Sequence, residues 1–293
     1  MRHQPKFFTN LYNFSGGGDG ANPKAALISS GSKLYGTTYA GGSGAGTVFV
    51  VNIDGTGFTT LYGFSGSDGA NPHGALLWSS NILYGTTYVG GVNNTGTVFS
   101  IMTDGTGFTN LYTFNGGSDG ANPQGSLVWS SNKLYGTTYA GNGTVFVINA
   151  DGSGFATLHS FTGSDGAGPY GMVLSSKSLY GVTQFGASGN GTVFRVSTDG
   201  TGFTNLHNFT PTASNINNDG AQPNGLMLFG NRLYGTAGGG GTFGYGTAFA
   251  LNTDGTAFAV LHNFTGSDGR LPVSPLLLSG STLYGVDPLL QGS

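Results

Sequence analysis

The sequence predicts an all-β chain folded as a six-bladed β-propeller of ~50-residue, four-stranded repeats. Three observations predict it. The tripeptide Leu-Tyr-Gly recurs six times, centred on Tyr35, Tyr84, Tyr135, Tyr180, Tyr234 and Tyr284, at separations of 49, 51, 45, 54 and 50 residues. Around each copy lie short apolar runs rich in β-branched and aromatic residues and bounded by Gly, Ser, Asn or Asp, which is the pattern of strands. No amphipathic helical period competes with them.

The second repeat displays the elements in order: Pro72–Trp78, Ile82–Tyr88, Gly96–Ile101 and Phe108–Phe114, named here A, B, C and D. Strand A is the most uniformly apolar, as expected of an inner strand sandwiched between neighbouring blades. Strand D alternates large and small residues, as in Phe155 to Phe161, and reads as the outer strand. Trp78 and Trp129 close strand A in two blades and are expected to pack between blades. Asp-Gly pairs, from Asp54-Gly55 to Asp254-Gly255, join C to D, with glycine supplying the positive φ of a tight hairpin. Ser80-Asn81, Ser131-Asn132 and Gly230-Asn231 join A to B in the same way. The longer D–A loop and the glycine-rich B–C loop then share one end of each blade, the top face, where functional residues are expected.

A single domain over residues 1–293 follows, with blades at 24–64, 73–114, 124–161, 170–209, 224–264, and 273–293 plus 7–14. The chain opens on a D-type strand, Phe8–Phe14, and closes on an A and a B strand, so the N-terminal strand is expected to complete the C-terminal blade and shut the ring. Five C strands of the Gly-Thr-Val-Phe type run from Gly46 to Phe249, and the sixth is missing. Asp287–Gln291 is the stand-in, although Pro288 would interrupt a central strand. An incomplete sixth blade, or a chain trimmed at its C-terminus, is expected.

Composition bounds the function. Glycine takes 57 of 293 positions and charged residues only 7%, a mix that suits ordered turns between aromatic strands. A net charge of −3 with nine Lys and Arg argues against nucleic acid as a partner. The absence of cysteine excludes disulfides, thiolate metal sites and thiol nucleophiles. No apolar run is long enough for a membrane span. Met1 to Asn10 does not read as a signal peptide, so any leader is absent from this chain.

The repeat resembles the Gloeo-Verruco family of bacterial tandem repeats. Its elements stand at Lys33-Leu34-Tyr35-Gly36-Thr37-Thr38, Gly41-Gly42, Gly46-Thr47-Val48-Phe49 and Asp54-Gly55-Thr56-Gly57-Phe58, and they recur along nearly the whole chain. The resemblance implies an extracellular or cell-surface protein and supplies no activity to carry over.

All twelve acidic residues are Asp. Five sit in C–D turns, six in D–A loops (Asp19, Asp68, Asp119, Asp165, Asp219, Asp268), and Asp287 stands outside the pattern. Equivalent carboxylates repeated around a ring do not make the paired, differently placed acid and base that hydrolysis needs. They read as loop caps; calcium in the D–A loops is the alternative, and no other cofactor is implied. His159, His207 and His262 replace Tyr12, Tyr62 and Tyr112 at one D-strand position and read as packing residues.

Two binding sites are legible. Between the proline of each D–A loop and strand A stand Lys24, His73, Gln124, Tyr170, Asn224 and Val273, different in every blade, which the ring would gather at the channel mouth together with Asp287. The other site is repeated: Asn22 with Tyr39, Asn71 with Tyr88, and Asn122 with Tyr139, an amide and a ring suited to a sugar. The lengthened loop Thr210–Asn218 and the B–C loop Gly238–Tyr245 point to the same face. The expectation is a binding or scaffold module for glycan or protein. The alternative is an enzyme using Asp287, His73, Lys24 and Tyr170.

Overall fold

The computed structural model describes residues 9–186 and 189–286. Among them there is strand and turn but no helix, and hence none able to cross a membrane. The chain divides into two compact units, Met1–Thr113 and Phe114–Ser293.

The first unit holds two antiparallel sheets. One is β1 (Ile28–Ser30), β2 (Lys33–Thr38), β3 (Thr47–Asn52) and β4 (Thr59–Gly63), in that order. The other has its A strand in two pieces, β5 (Ala70–Pro72) and β6 (Leu77–Ser79), both on β7 (Ile82–Val89), followed by β8 (Thr97–Met102) and β9 (Thr109–Thr113). The second unit repeats the plan three times: β10 (Val128–Ser130) to β13 (Ala156–Ser160), β14 (Ala167–Ser175) to β17 (Thr204–Asn208), and β18 (Ala221–Phe229) to β21 (Ala259–Asn263). β11 (Lys133–Thr138), β12 (Thr144–Asn149), β15 (Ser178–Phe185), β16 (Thr192–Ser197), β19 (Arg232–Gly239) and β20 (Thr247–Asn252) are the middle strands. A two-stranded sheet, β22 (Leu277–Ser279) and β23 (Thr282–Tyr284), ends the described chain. The order A-B-C-D is therefore the expected one. The segment 9–14 carries no strand, so the expected sixth blade is present only as its A and B strands among the described residues. The stand-in Asp287–Gln291 lies outside them.

Within each unit the core lies between successive sheets and is built by one aromatic device. Every complete C–D pair shifts register immediately before the C-strand phenylalanine, at Val48/Phe49, Val98/Phe99, Val145/Phe146, Val193/Phe194 and Ala248/Phe249. Such a bulge re-aims a side chain. The re-aimed ring lies edge-on to the phenylalanine just past the preceding D strand, or at the same repeat position in segment 9–14: Phe14–Phe49 at 5.1 Å, Phe64–Phe99 at 5.2 Å, Phe114–Phe146 at 5.3 Å, Phe161–Phe194 at 5.2 Å and Phe209–Phe249 at 5.2 Å. The phenylalanine after each Asp-Gly turn adds a third ring, and the Tyr or His of the preceding D strand stacks flat on it. Tyr12–Phe58, Tyr62–Phe108, His159–Phe203 and His207–Phe258 have centroids 3.6–3.8 Å apart and planes within 6° of parallel. Each ring pair is worth about 0.5–1.5 kcal/mol beyond the area it buries.

This device explains the glycine of Leu-Tyr-Gly. Its backbone is the floor on which the C-strand ring rests: a Cβ at Gly36, Gly85, Gly136, Gly181 or Gly235 would stand 2.4–2.6 Å from the ring tip of Phe49, Phe99, Phe146, Phe194 or Phe249. Gly181→Ala is thus expected to cost about 1–3 kcal/mol by overpacking, read as a lower urea midpoint. An unchanged midpoint would mean that the ring has room to move.

Trp78 departs from expectation, being 44% exposed rather than packed between blades. It is the middle residue of the three-residue β6, paired with Leu83 of β7 just before the tight turn.

Candidate functional site

The D–A and B–C loops leave the same end of each sheet, and local chemistry fixes their shape. The D–A aspartate is the hub. Asp165 accepts from the Thr162 amide at 2.8 Å, the Thr162 hydroxyl at 2.9 Å and His159 Nε2 at 2.9 Å. Asp19, Asp68, Asp219 and Asp268 repeat that pattern with Ser15 and Tyr12, Ser65 and Tyr62, Thr210 and His207, and Thr265 and His262. The D-strand Tyr or His is therefore a packing residue and also ties its strand to the loop that follows. The C–D aspartates accept from the hydroxyl and amide two residues on, as Asp54 does from Thr56 at 2.7 and 2.9 Å. Burial would push the Asp68 and Asp165 carboxyls up, but the donated hydrogen bonds outweigh it and hold both below the usual carboxylate range. The carboxylates weighed as calcium ligands stand one to a loop, and Asp19, Asp68, Asp165, Asp219 and Asp268 are each engaged by several donors.

The asparagine of Ala-Asn-Pro is a backbone choice. Asn22, Asn71 and Asn122 have φ of 54°, 56° and 58°, the left-handed region that Asn tolerates best after Gly. The amide N–H at this position crosses to the preceding B–C loop: Asn71 to the Ala45 carbonyl at 2.7 Å, Gly168 to Asn142 at 3.0 Å, Gln222 to Asn190 at 2.9 Å and Leu271 to Tyr245 at 2.9 Å. The Asn71 side chain also donates to the Tyr39 carbonyl at 2.8 Å. The proline that follows rests on the glycine of Gly-Thr-Val-Phe. A Cβ at Gly46 or Gly191 would be 2.7 Å from Pro72 or Pro223.

With the loops so held, residues from both expected sites stand side by side in the first unit. In the first unit Lys24 places its Nζ 3.6 Å from the centroid of the Tyr39 ring, a cation–π contact. The edge of Tyr39 meets His73 at 6.2 Å, and His73 lies 6.4 Å from Tyr88. Lys24 is exposed, and the other three are half-buried. The residue that varies from blade to blade and the tyrosine that ends strand B thus interleave in a band of cation, ring, imidazole and ring. In the second unit the same two positions give Gln184 and Asn224, joined at 3.3 Å, with the Asn224 amide donating to the Pro272 carbonyl at 2.8 Å. Tyr170 packs against a core cluster, and burial pushes its phenol up. Gln124 is half-buried, Tyr139 packs beside Gly168, and Val273 is 49% exposed. Asp287 lies outside the described residues. Of the residues of the enzyme alternative, Lys24 and His73 stand in the first unit on either side of Tyr39, and Tyr170 stands in the second.

Two further features share this end of the sheets. The lengthened loop is pinned by Asn217, 8% exposed, whose side chain bonds Thr210, Gly220 and Gly241 and so joins it to the B–C loop, as the sequence suggested. Ile216, Phe243 and Tyr245 stand exposed on this pair of loops. A cavity of ≈ 280 Å³ opens beside Gly120, Ala140, Asn142 and Thr144. Sequence reasoning passed over it; its signal was the 45-residue spacing from Tyr135 to Tyr180, which reflects a B–C loop shortened to Gly141-Asn142-Gly143.

A family model described as Gloeobacter/Verrucomicrobia repeat matches residues 1–175 and 130–289. No curated protein matches the chain. Among solved structures, a chain of a nidogen/laminin complex is 16% identical with a TM-score of 0.56, covering 83% of this chain and 82% of that one. A Bacteroides uniformis protein described provisionally as a 6-phosphogluconolactonase is 18% identical with a TM-score of 0.59, covering 90% and 78%. An Agrobacterium tumefaciens protein described provisionally as TolB is 11% identical with a TM-score of 0.52, covering 81% and 79%. At these identities the likeness is one of fold, a β-propeller-like stack of four-stranded sheets.

Proposed function

We propose a binding function for this chain, which belongs to the Gloeobacter/Verrucomicrobia repeat family: a non-catalytic, six-bladed propeller, secreted or displayed on the cell surface, that recognises glycan through its loop face. The observation that carries this reading is the Lys24–Tyr39–His73–Tyr88 band. Half-buried rings offer an apolar face to a pyranose, while the imidazole and ammonium offer direction to its hydroxyls or to an acidic substituent. A closed ring would set the other blades' equivalents beside it, and several shallow sites would act together through avidity.

Glycan-array screening of the full chain tests this. Binding to a defined class of glycans is expected, with Tyr88→Ala and His73→Ala each weakening it about tenfold, ~1.4 kcal/mol. A folded chain that binds nothing across the array, or variants that bind as tightly as the parent, would overturn the reading.

A further inference from the structure

In four repeats the B–C loop folds back over the D–A loop. A Cβ on its first glycine, Gly41, Gly90, Gly186 or Gly240, would stand 2.4–2.7 Å from the backbone of Gly20, Gly69, Gly166 or Gly220. In three of them the amide of the second glycine also donates across: Gly42 to the Gly17 carbonyl at 2.8 Å, Gly91 to the Gly66 carbonyl at 2.9 Å and Gly241 to Asn217 Oδ1 at 2.8 Å. Each of these acceptors also takes the amide three residues on, from Gly20, Gly69 or Gly220. The position therefore accepts twice.

The third repeat breaks the pattern by length. Seven residues separate Tyr39 from Thr47, and only four separate Tyr139 from Thr144. The Gly117 carbonyl keeps its turn amide, from Gly120 at 3.1 Å, but the shortened loop has no residue to supply the second donor. A Cβ at Gly141 would meet nothing within 4 Å. The space so opened is the ≈ 280 Å³ cavity, walled by Gly117, Ser118, Asn142 and Ser160 over a floor of Thr144 and Phe161. Both floor residues are 5% exposed, whereas Thr47, Thr97, Thr192 and Thr247, like Phe64, Phe114 and Phe209, have no exposed surface. The cavity lies wholly within the second unit.

What the cavity accepts follows from what it lost. The Gly117 carbonyl stands where its counterparts meet an amide N–H, and below it Phe161 offers the edge of an apolar ring. Asn142, Ser118 and Ser160 bring an amide and two hydroxyls to the rim. Among the described residues no charged side chain lines the space, so an ionic ligand finds no counter-charge. Its volume lies just below the roughly 300–1,000 Å³ of small-molecule sites, room for one ring and not for an extended chain. We propose that this cavity binds a single N-acetylhexosamine residue. The acetamido N–H donates to the Gly117 carbonyl in place of the loop amide, the acetyl methyl packs on Phe161, and the ring hydroxyls exchange hydrogen bonds with Asn142, Ser118 and Ser160. The cavity shares no residue with the Lys24–Tyr39–His73–Tyr88 band, and the inference stands without it.

The probes are N-acetylglucosamine and N-acetylgalactosamine, each titrated into the full chain by saturation-transfer NMR, with glucose as the control. Saturable binding of at least one is expected, with the acetyl methyl the most strongly saturated group. Glucose keeps a hydroxyl donor but has no methyl to cover Phe161, and should bind about tenfold more weakly. Replacing Gly141-Asn142 by Gly-Gly-Ser-Gly-Ala, the sequence of residues 41–45, restores the loop amide and refills the cavity. That chain is expected to lose the binding while unfolding no earlier than the parent. Ser160→Tyr, which crowds the exposed rim, should weaken binding as well and provides the second variant should the loop exchange unfold. No saturable binding of either sugar, equal affinity for glucose, or undiminished binding by a folded loop-exchange or Ser160→Tyr chain would each overturn the proposal. Tyr88→Ala tells the two sites apart: if it removes the binding, the sugar sits on the band, and this inference falls while the glycan reading stands.

Discussion

Phe194→Ala is expected to destabilise the chain by about 3–5 kcal/mol, the range for removing a fully buried aromatic side chain. Phe194 has no exposed surface. It meets Phe161 edge-on at 5.2 Å, Phe203 at 5.9 Å with planes 27° apart, and the backbone of Gly181 beneath it. The void is hard to fill by collapse, because Gly181 lies in β15 and Phe161 and Phe203 adjoin β13 and β17, all held by ladder hydrogen bonds, so the transfer and cavity costs add. The consequence reaches beyond one sheet, since in a stacked repeat protein much of the stability resides in the interfaces between units. Urea unfolding followed by tyrosine fluorescence measures the loss. Trp78→Ala serves as the comparison: an exposed aromatic outside any such junction is expected to change stability by only about 0.5 kcal/mol. Equal effects at the two positions would refute the assignment of Phe194 to the junction.

The legible part of this fold was the part that repeats. Spacing of Leu-Tyr-Gly and of Asp-Gly located the sheets, and the order A-B-C-D followed from turn chemistry. What the repeats are for was less legible, because a strand pattern of period two states which face a side chain takes but not which ring of another sheet it meets. The glycine of Leu-Tyr-Gly looked like a marker and proved to be a floor for a ring. The threonines of Gly-Thr-Thr and Gly-Thr-Val-Phe looked like β-formers, yet Thr38 and Thr47, and likewise Thr87 and Thr97, pair hydroxyl to hydroxyl at 2.8 Å with no exposed surface. Asn22, Asn71 and Asn122 were read as sugar ligands on residue type alone, while their φ angles give each a backbone reason to be there. The candidate site was legible by position and not by composition. Lys24, Tyr39, His73 and Tyr88 were all singled out, but as members of two separate sites, since only the fold brings the end of strand B beside the entry to the next strand A.

Acid is expected to loosen the loop face through the D–A aspartates, most of all through Asp219. Its side chain is 8% exposed and accepts from His207 Nε2 at 3.0 Å, the Thr210 amide at 3.0 Å and the Thr210 hydroxyl at 2.6 Å. Burial alone would push this carboxyl up; the bonds from His207 and Thr210 and the charge of the imidazole outweigh it, leaving it below its ordinary value. A folded-state pKa below the unfolded one means that the stabilisation is fully present above the unfolded pKa, about 3.9 for aspartate, and is lost as pH falls through the folded value. Asp68 and Asp165 shift in the same direction and add to the same window. Unfolding free energy should therefore hold steady from neutral pH down to about 5 as far as these groups decide it, then fall below about pH 4. Asp219→Ala should cost about 2–3 kcal/mol at pH 7, since it strands the Thr210 donors and the His207 ring that the carboxylate satisfied. At pH 3 the cost should shrink, because below the unfolded pKa of about 3.9 the unfolded parent takes up the proton that its folded carboxylate resists, and the difference between the two chains narrows. Urea titrations of both chains at the two pH values decide the matter. A cost that is the same at pH 7 and pH 3 would show that Asp219 contributes shape alone, and the loop hub would then be the hydroxyl and ring network with the carboxylate as a spectator.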